Sequence, residues 1–282
     1  MASPLALALL LATAPGESPA PPLVAIHWEK KFDEALKKAQ RAGKPLVVDF
    51  WAEWCGWCHR LDRTTYADPA VVRRAQEFVA VKVNTEGSRR ELQVSAKYGV
   101  RSLPTILFLS PQGRQLFRVN GYQGPGQFPR TLDAARHVAG RVIAWETALE
   151  ADADDAAAAL GLGRHLYEQE YFEEAQALLR TAVAHDSDAG VGGRREARML
   201  LAILAHVTRD FAEAERLVKE ALLLGPDPEE QPRLLFVLGR TYVSSGRHEE
   251  GVATFEVIVR QFPQSPMAQM AKETLTTLRH RR

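Results

Sequence analysis

Two cysteines, Cys55 and Cys58, make up the entire cysteine content of this 282-residue chain. They stand two residues apart, directly after the apolar run LVVDFW at 46–51. A single close pair cannot staple a small secreted fold, so these thiols are there to react or to bind something. A short run of β-branched and aromatic residues is the pattern of a strand buried on both faces, which needs helices above and below it. The cysteines therefore follow directly on a buried strand.

The surrounding sequence supplies the other elements. Trp28, Phe32, Leu36 and Ala39 recur at helical spacing and predict a helix over 28–41, stopped by Gly43 and Pro45. A helix is expected over 58–75, interrupted near Asp68-Pro69, then a strand over 78–83 and a short helix over 91–98 ended by Gly99. Strands over 105–109 and 115–119 flank the turn Ser110-Pro111-Gln112-Gly113, a hairpin at an antiparallel edge. An amphipathic helix over 132–149 closes the first domain, 23–149, and the acidic run 150–155 reads as a hinge to a second domain, 150–282. The expectation is two domains, each with its own core.

The second half repeats itself. With Ala175, Ala214 and Gly251 aligned, 39 and then 37 residues apart, the same register carries Leu162-Gly163, Leu201-Ala202 and Leu238-Gly239. Ala182, Ala221 and Ile258 follow, and Pro226 and Pro263 end the later units, with Ser187 in the first. Units are expected at about 158–187, 197–226 and 234–263, with a capping helix over 267–278. The pattern resembles the tetratricopeptide repeat, whose stacked helix pairs present a concave surface for a protein ligand. A compact bundle with no ligand is the plainer alternative.

Cys55 falls where strand gives way to helix, so backbone N–H groups and the positive end of the helix dipole favour its thiolate. Cys58, one turn later, is placed to displace a mixed disulfide. His59 either raises thiolate character when protonated or is a solvated helix residue. Trp51 is read as core, Trp54 as a partly exposed substrate contact, and Trp57 as facing solvent or a partner. A structural zinc site needs about four ligands, and no second cysteine pair or suitably spaced histidines accompany the first.

VDFWAEWCGWC at 48–58, YGVRSLPT at 98–105 and Gly121 resemble the thioredoxin family. That resemblance implies an α/β thioredoxin fold, a central mixed sheet flanked by helices, followed here by the all-α repeat domain. It implies that Pro104 is cis and that Leu103, Pro104 and Thr105, with Gly56 and Gly121, face an incoming extended peptide. It implies a proton-relay role for a buried Asp49, moderated by Lys82. GKP at 43–45 and TYADPAV at 65–71 resemble more narrowly the C-terminal thioredoxin-like domain of the electron conductor DsbD. Trp57 and His59 depart from the usual family residues, and direction of electron flow is not carried by the resemblance.

The expected function is thiol–disulfide oxidoreduction on protein disulfides, with a lean towards reduction and an upstream thiol donor. The redox-active Cys55–Cys58 disulfide needs no organic cofactor or metal beside it. An oxidase or isomerase, or an assembly scaffold using the thioredoxin fold as a docking module, are the rivals. Residues 5–12 form an unbroken apolar run, and Ala12-Thr13-Ala14 is a small-x-small cleavage pattern, so 1–22 are expected to be a signal peptide and spacer. That implies a periplasmic or otherwise exported protein without a membrane span once the leader is removed, and a cytoplasmic one if the leader is not functional. Lys and Arg number 36 against 35 Asp and Glu, a net charge of +1 that gives no field for nucleic acid.

Overall fold

The computed structural model describes residues 25–185 and 190–280. The expected leader and spacer, and Ser187, lie outside the described residues. The first half runs β1 (Trp28–Glu29), α1 (Phe32–Ala42), β2 (Leu46–Trp51), α2 (Gly56–Arg60), a π-helical turn (Leu61–Thr65), α3 (Pro69–Ala75) and β3 (Val79–Asn84). It continues through α4 (Arg89–Lys97), β4 (Thr105–Leu109), β5 (Gln115–Asn120) and α5 (Phe128–Ala151). The sheet order is β1-β3-β2-β4-β5, so β2 lies at the centre. It pairs in parallel with β3 and antiparallel with β4. This is the expected thioredoxin-type mixed sheet with helices on both faces.

Strand alternation sorts the core into two layers. Val48 and Phe50 pack with Phe32, Ala35, Val94 and Tyr98 under α1 and α4. Val47 faces the other way, with Leu61, Tyr66, Val71, Phe128 and Leu132. Local chemistry sets the helix ends. Asp68 Oδ1 accepts from the N–H groups of Ala70 and Val71 at the start of α3. Ser88 and Glu91 form a reciprocal capping box on α4. Gly43 takes φ +61°, the left-handed conformation that lets α1 stop.

The expected helix over 28–41 begins later than the periodicity suggested. Trp28 lies in β1, opposite Ala80 of β3, and Lys31 is extended before α1. Its ring packs 4.9 Å from that of Tyr66, a tertiary contact that overrides a weak local pattern.

Among the described residues the rest forms seven helices: α6 (Ala156–Glu168), α7 (Phe172–Ala184), α8 (Gly190–Val207), α9 (Phe211–Leu223), α10 (Gln231–Ser244), α11 (His248–Gln261) and α12 (Pro266–His280). Ala175, Ala214, Ala182, Ala221 and Ile258 are all fully buried, as their matched register positions require. Gly239 is needed for close approach: a Cβ there would lie 2.8 Å from the Phe255 ring. α12 covers the last pair through Ala268, Ala271 and Leu275.

The halves share one core besides the clusters each keeps to itself. Leu162, Leu166 and Ala175 of the first repeat join Ala135, Ala139 and Val142 of α5 in one apolar cluster that continues under the sheet. The acidic run contributes the end of α5 and a short turn, and Asp155 Oδ1 caps α6 through the Ala158 N–H. Gly161 takes the face of Trp145 so closely that a Cβ would sit 2.3 Å from the indole. Polar bonds cross here too. Arg114 of the β4–β5 turn pairs with Glu146 of α5 at 3.0 Å and with Glu174 of α7.

Because Leu166 is 1% exposed inside this shared cluster, Leu166→Ala is expected to cost about 2–5 kcal/mol. Urea denaturation followed by fluorescence of the N-terminal tryptophans and by far-ultraviolet circular dichroism should show both signals moving to the same lower midpoint. A shift of the helical signal alone would mean that the halves are energetically independent.

Candidate active site

The site lies where several strand ends meet. In the β2–β4 register Phe50 is opposite Thr105, and in the β4–β5 register Thr105 is opposite Asn120. The end of β2, the start of β4 and the end of β5 therefore share one edge of the sheet. Residues following β2, preceding β4 and following β5 converge there: the cysteines, Leu103-Pro104 and Gly121.

Cys55 is the N-cap of α2, extended at φ −79° and ψ 93°. Its carbonyl accepts from the N–H groups of Cys58 and His59, and its Sγ accepts from the Cys58 N–H at 3.2 Å. Cys55 and Cys58 are joined by a disulfide, with Cα atoms 5.3 Å apart. Both are buried, in an apolar cluster with Ala52, against which Trp51 and Leu103 pack. Gly56 opens the helix and is exposed. His59 Nε2 lies 2.7 Å from the Glu53 carbonyl, so its ring braces the turn that carries the pair.

The Leu103–Pro104 peptide is cis. Its loop is fastened from two sides. The Gly121 N–H donates to the Pro104 carbonyl at 2.8 Å, and Thr105 Oγ1 donates to the Ser102 carbonyl at 2.7 Å. Gly121 adopts φ +87°, a conformation suited to glycine.

Asp49 is wholly buried and shares its sheet face with Trp51, which reaches the cysteines. Neither carboxylate oxygen accepts a well-formed hydrogen bond. Lys82, opposite it on β3, places Nζ 3.2 Å from Oδ2. Burial pushes the Asp49 carboxyl up to about 6, with the Lys82 charge holding it back. Lys82 is shared: it also pairs with Asp62 of the π-helical turn. Its ammonium sits over the rings of Trp28, Trp51 and Tyr66 at 5.2, 5.8 and 5.5 Å. The buried Tyr66 hydroxyl completes this cluster, its pKa pushed up by burial and by the Asp49 charge. Asp62, Tyr66 and Trp28 were missed in the sequence. Asp62 and Tyr66 follow Cys58 at four and eight residues, a helix-face spacing that was legible.

The exposed rim is aromatic. Trp54 and Trp57 are 68% and 54% exposed. Trp54 Nε1 donates to Glu86 Oε1 at 2.7 Å, while the Trp57 ring lies 5.5 Å from that of Tyr122. Tyr122, beside Gly121, carried no signal in the sequence. Among the described residues no cluster of His, Cys, Asp and Glu suits a metal ion, and no helix is long and apolar enough to cross a membrane.

A family model described as a thioredoxin-like domain matches residues 32–136. Two tetratricopeptide-repeat models match residues 162–230 and 208–275. The thiol:disulfide interchange protein DsbD of Photorhabdus laumondii is 35% identical over 96 residues, which are 33% of this chain and 17% of that protein. DsbD of Salmonella typhimurium is 33% identical over 111 residues, 38% of this chain and 19% of that protein. Each match thus spans less than a fifth of the relative's length. A solved thioredoxin from Thermus thermophilus is similar at a TM-score of 0.38 and 26% identity, covering 42% of this chain and 92% of that one. The chain accordingly joins a thioredoxin-like domain, with the disulfide-oxidoreductase type of fold and its CxxC pair, to tetratricopeptide repeats.

Proposed function

We propose that this protein is an exported thiol–disulfide oxidoreductase that reduces protein disulfides and uses its repeats to hold a protein partner. The observation that carries the reading is the Cys55–Cys58 bond at a helix start, with Leu103 of the Pro104 loop packed against it. Export is supported by the apolar run at 5–12 and the small-x-small pattern after it.

A dithiol donor first opens the bond. Cys55, as thiolate at the helix N-cap, attacks one sulfur of a substrate disulfide; a mixed disulfide forms and the other substrate sulfur leaves as thiolate. Cys58 then gives up its proton and attacks Cys55 Sγ, which restores the internal disulfide and releases the second substrate thiolate. Two electrons pass from the pair to the substrate, and the donor replaces them. Asp49 is the acceptor for the Cys58 proton, because a carboxyl poised near 6 is ionised at neutral pH yet basic enough to be protonated. Lys82 positions that carboxylate. Leu103, Pro104 and Thr105 receive the substrate backbone, with Gly56, Trp54 and Trp57 beside it and Gly121 bracing the loop. No organic cofactor or metal enters these steps.

Two outcomes test the scheme. Cys58→Ala should still attack but not resolve, so covalent adducts with protein substrates accumulate while insulin reduction falls to background; Cys55→Ser should form none. Adducts on Cys55→Ser that match those on Cys58→Ala would sink the assignment of the nucleophile.

Asp49 gives a signed pH effect. Its folded pKa of about 6 exceeds the ordinary 3.8, so the folded chain binds more protons between those values and stability falls as pH rises through them. The isosteric Asp49→Asn should therefore gain up to about 3 kcal/mol at neutral pH and close to nothing below about pH 4. Urea denaturation across that range measures it, and the resolving rate should lose its rise near pH 6. An equal gain at both ends of the range would contradict a raised pKa.

A further inference from the structure

Three exposed arginines lie close in sequence to residues of the site: Arg60 and Arg63 follow Cys58, and Arg101 lies two residues before Leu103, which packs against the pair. None has a carboxylate partner among the described residues. Arg60 is the one that is held. Its guanidinium lies over the Trp57 ring at 5.2 Å and over the Tyr122 ring at 5.0 Å. Tyr122 is fixed in turn, with its hydroxyl 3.1 Å from Thr64 Oγ1. A long cationic side chain is thus held against two rings without a carboxylate partner among the described residues, which lowers the entropy lost when an anion binds.

The other side of the pair has the opposite sign. Trp54 is tied to Glu86, and Glu53 is exposed beside it. The charge therefore changes sign from the Trp54 side of Cys55 to the Trp57 side.

We propose that this rim selects disulfides in extended acidic segments, with a substrate Glu or Asp near the reactive cysteine seated on Arg60 over Trp57. The inference rests on the exchange chemistry proposed above and names its substrate class. Arg suits the task because its planar fork can both stack on rings and receive a carboxylate with two donors. The sign change would also set which way the acidic segment lies across Cys55.

The test uses three synthetic peptides with one internal disulfide each and otherwise identical sequences. One is neutral, one has Glu two residues before the target cysteine, and one has Glu two residues after it. The full chain, kept reduced by dithiothreitol, should reduce at least one acidic peptide roughly fivefold faster than the neutral one at low ionic strength, the size of one exposed ion pair. The advantage should shrink with added salt and fall to about one in Arg60→Gln. Equal rates on all three peptides, or an advantage that survives Arg60→Gln, would overturn the specificity proposal alone. A chain that leaves every peptide oxidised would overturn the exchange chemistry, and this inference with it.

Discussion

The burial of β2 on both faces is the constraint from which the site follows. Leu46, Val48 and Phe50 are closed off by α1 and α4, and Val47 and Asp49 by the elements around Leu61 and Tyr66. A strand so enclosed has to deliver its chain to the sheet edge before it can turn. The turn at Ala52 then places Cys55 at the start of a helix rather than within one. Its antiparallel neighbour β4 begins at that same edge, so the loop carrying cis-Pro104 arrives beside the cysteines by register alone. The reactive pair and its neighbouring peptide loop are two consequences of one strand pairing.

That enclosure also makes Asp49 expensive. A carboxylate with no hydrogen bond in an apolar layer is destabilising, and a dedicated cation would restore an ordinary pKa. Lys82 gives only part of that compensation. Its ammonium is divided between Asp49 and the more exposed Asp62, and three aromatic rings help to hold it. The result is a carboxyl near 6, in the range where a proton can be taken and returned at neutral pH. The same division explains how a burial cost persists in a folded chain: Lys82 keeps a water-facing partner whatever the state of Asp49.

Much of this was legible where a residue's role is set by its own period or neighbours. The alternating and apolar strands, the cysteine pair and the repeat register of Ala175, Ala214 and Gly251 depend on local pattern, and the structure keeps them. Trp28 misled because a two-residue strand has no period and its tryptophan fits a helix face equally well. The π-helical turn at Leu61–Thr65 leaves no compositional mark. Asp62, Tyr66 and Tyr122 matter through contacts made across the fold, 20 residues apart for Asp62 and Lys82 and 58 for Thr64 and Tyr122. The acidic run 150–155 suggested a hinge because charge runs usually solvate. Here Asp155 serves as a helix cap, and the apolar residues on either side decide the packing.

The shared core has a consequence for what a helical-repeat half can do. On a flexible tether, a bound partner would search a large volume, and its effective concentration at the disulfide would depend on linker length. In this chain α6 and α7 are packed on α5, and Arg114 links the β4–β5 turn to Glu146 and Glu174. That turn closes the same β-ribbon whose opposite end carries Thr105, Asn120 and Gly121. These ion pairs add polar links between the halves beside the shared apolar cluster, with little net stability after desolvation. A partner held by the repeats, as proposed, would stand at a set distance and angle from Cys55. On that proposal, such a geometry would favour delivery of one disulfide or dithiol over general sampling of many.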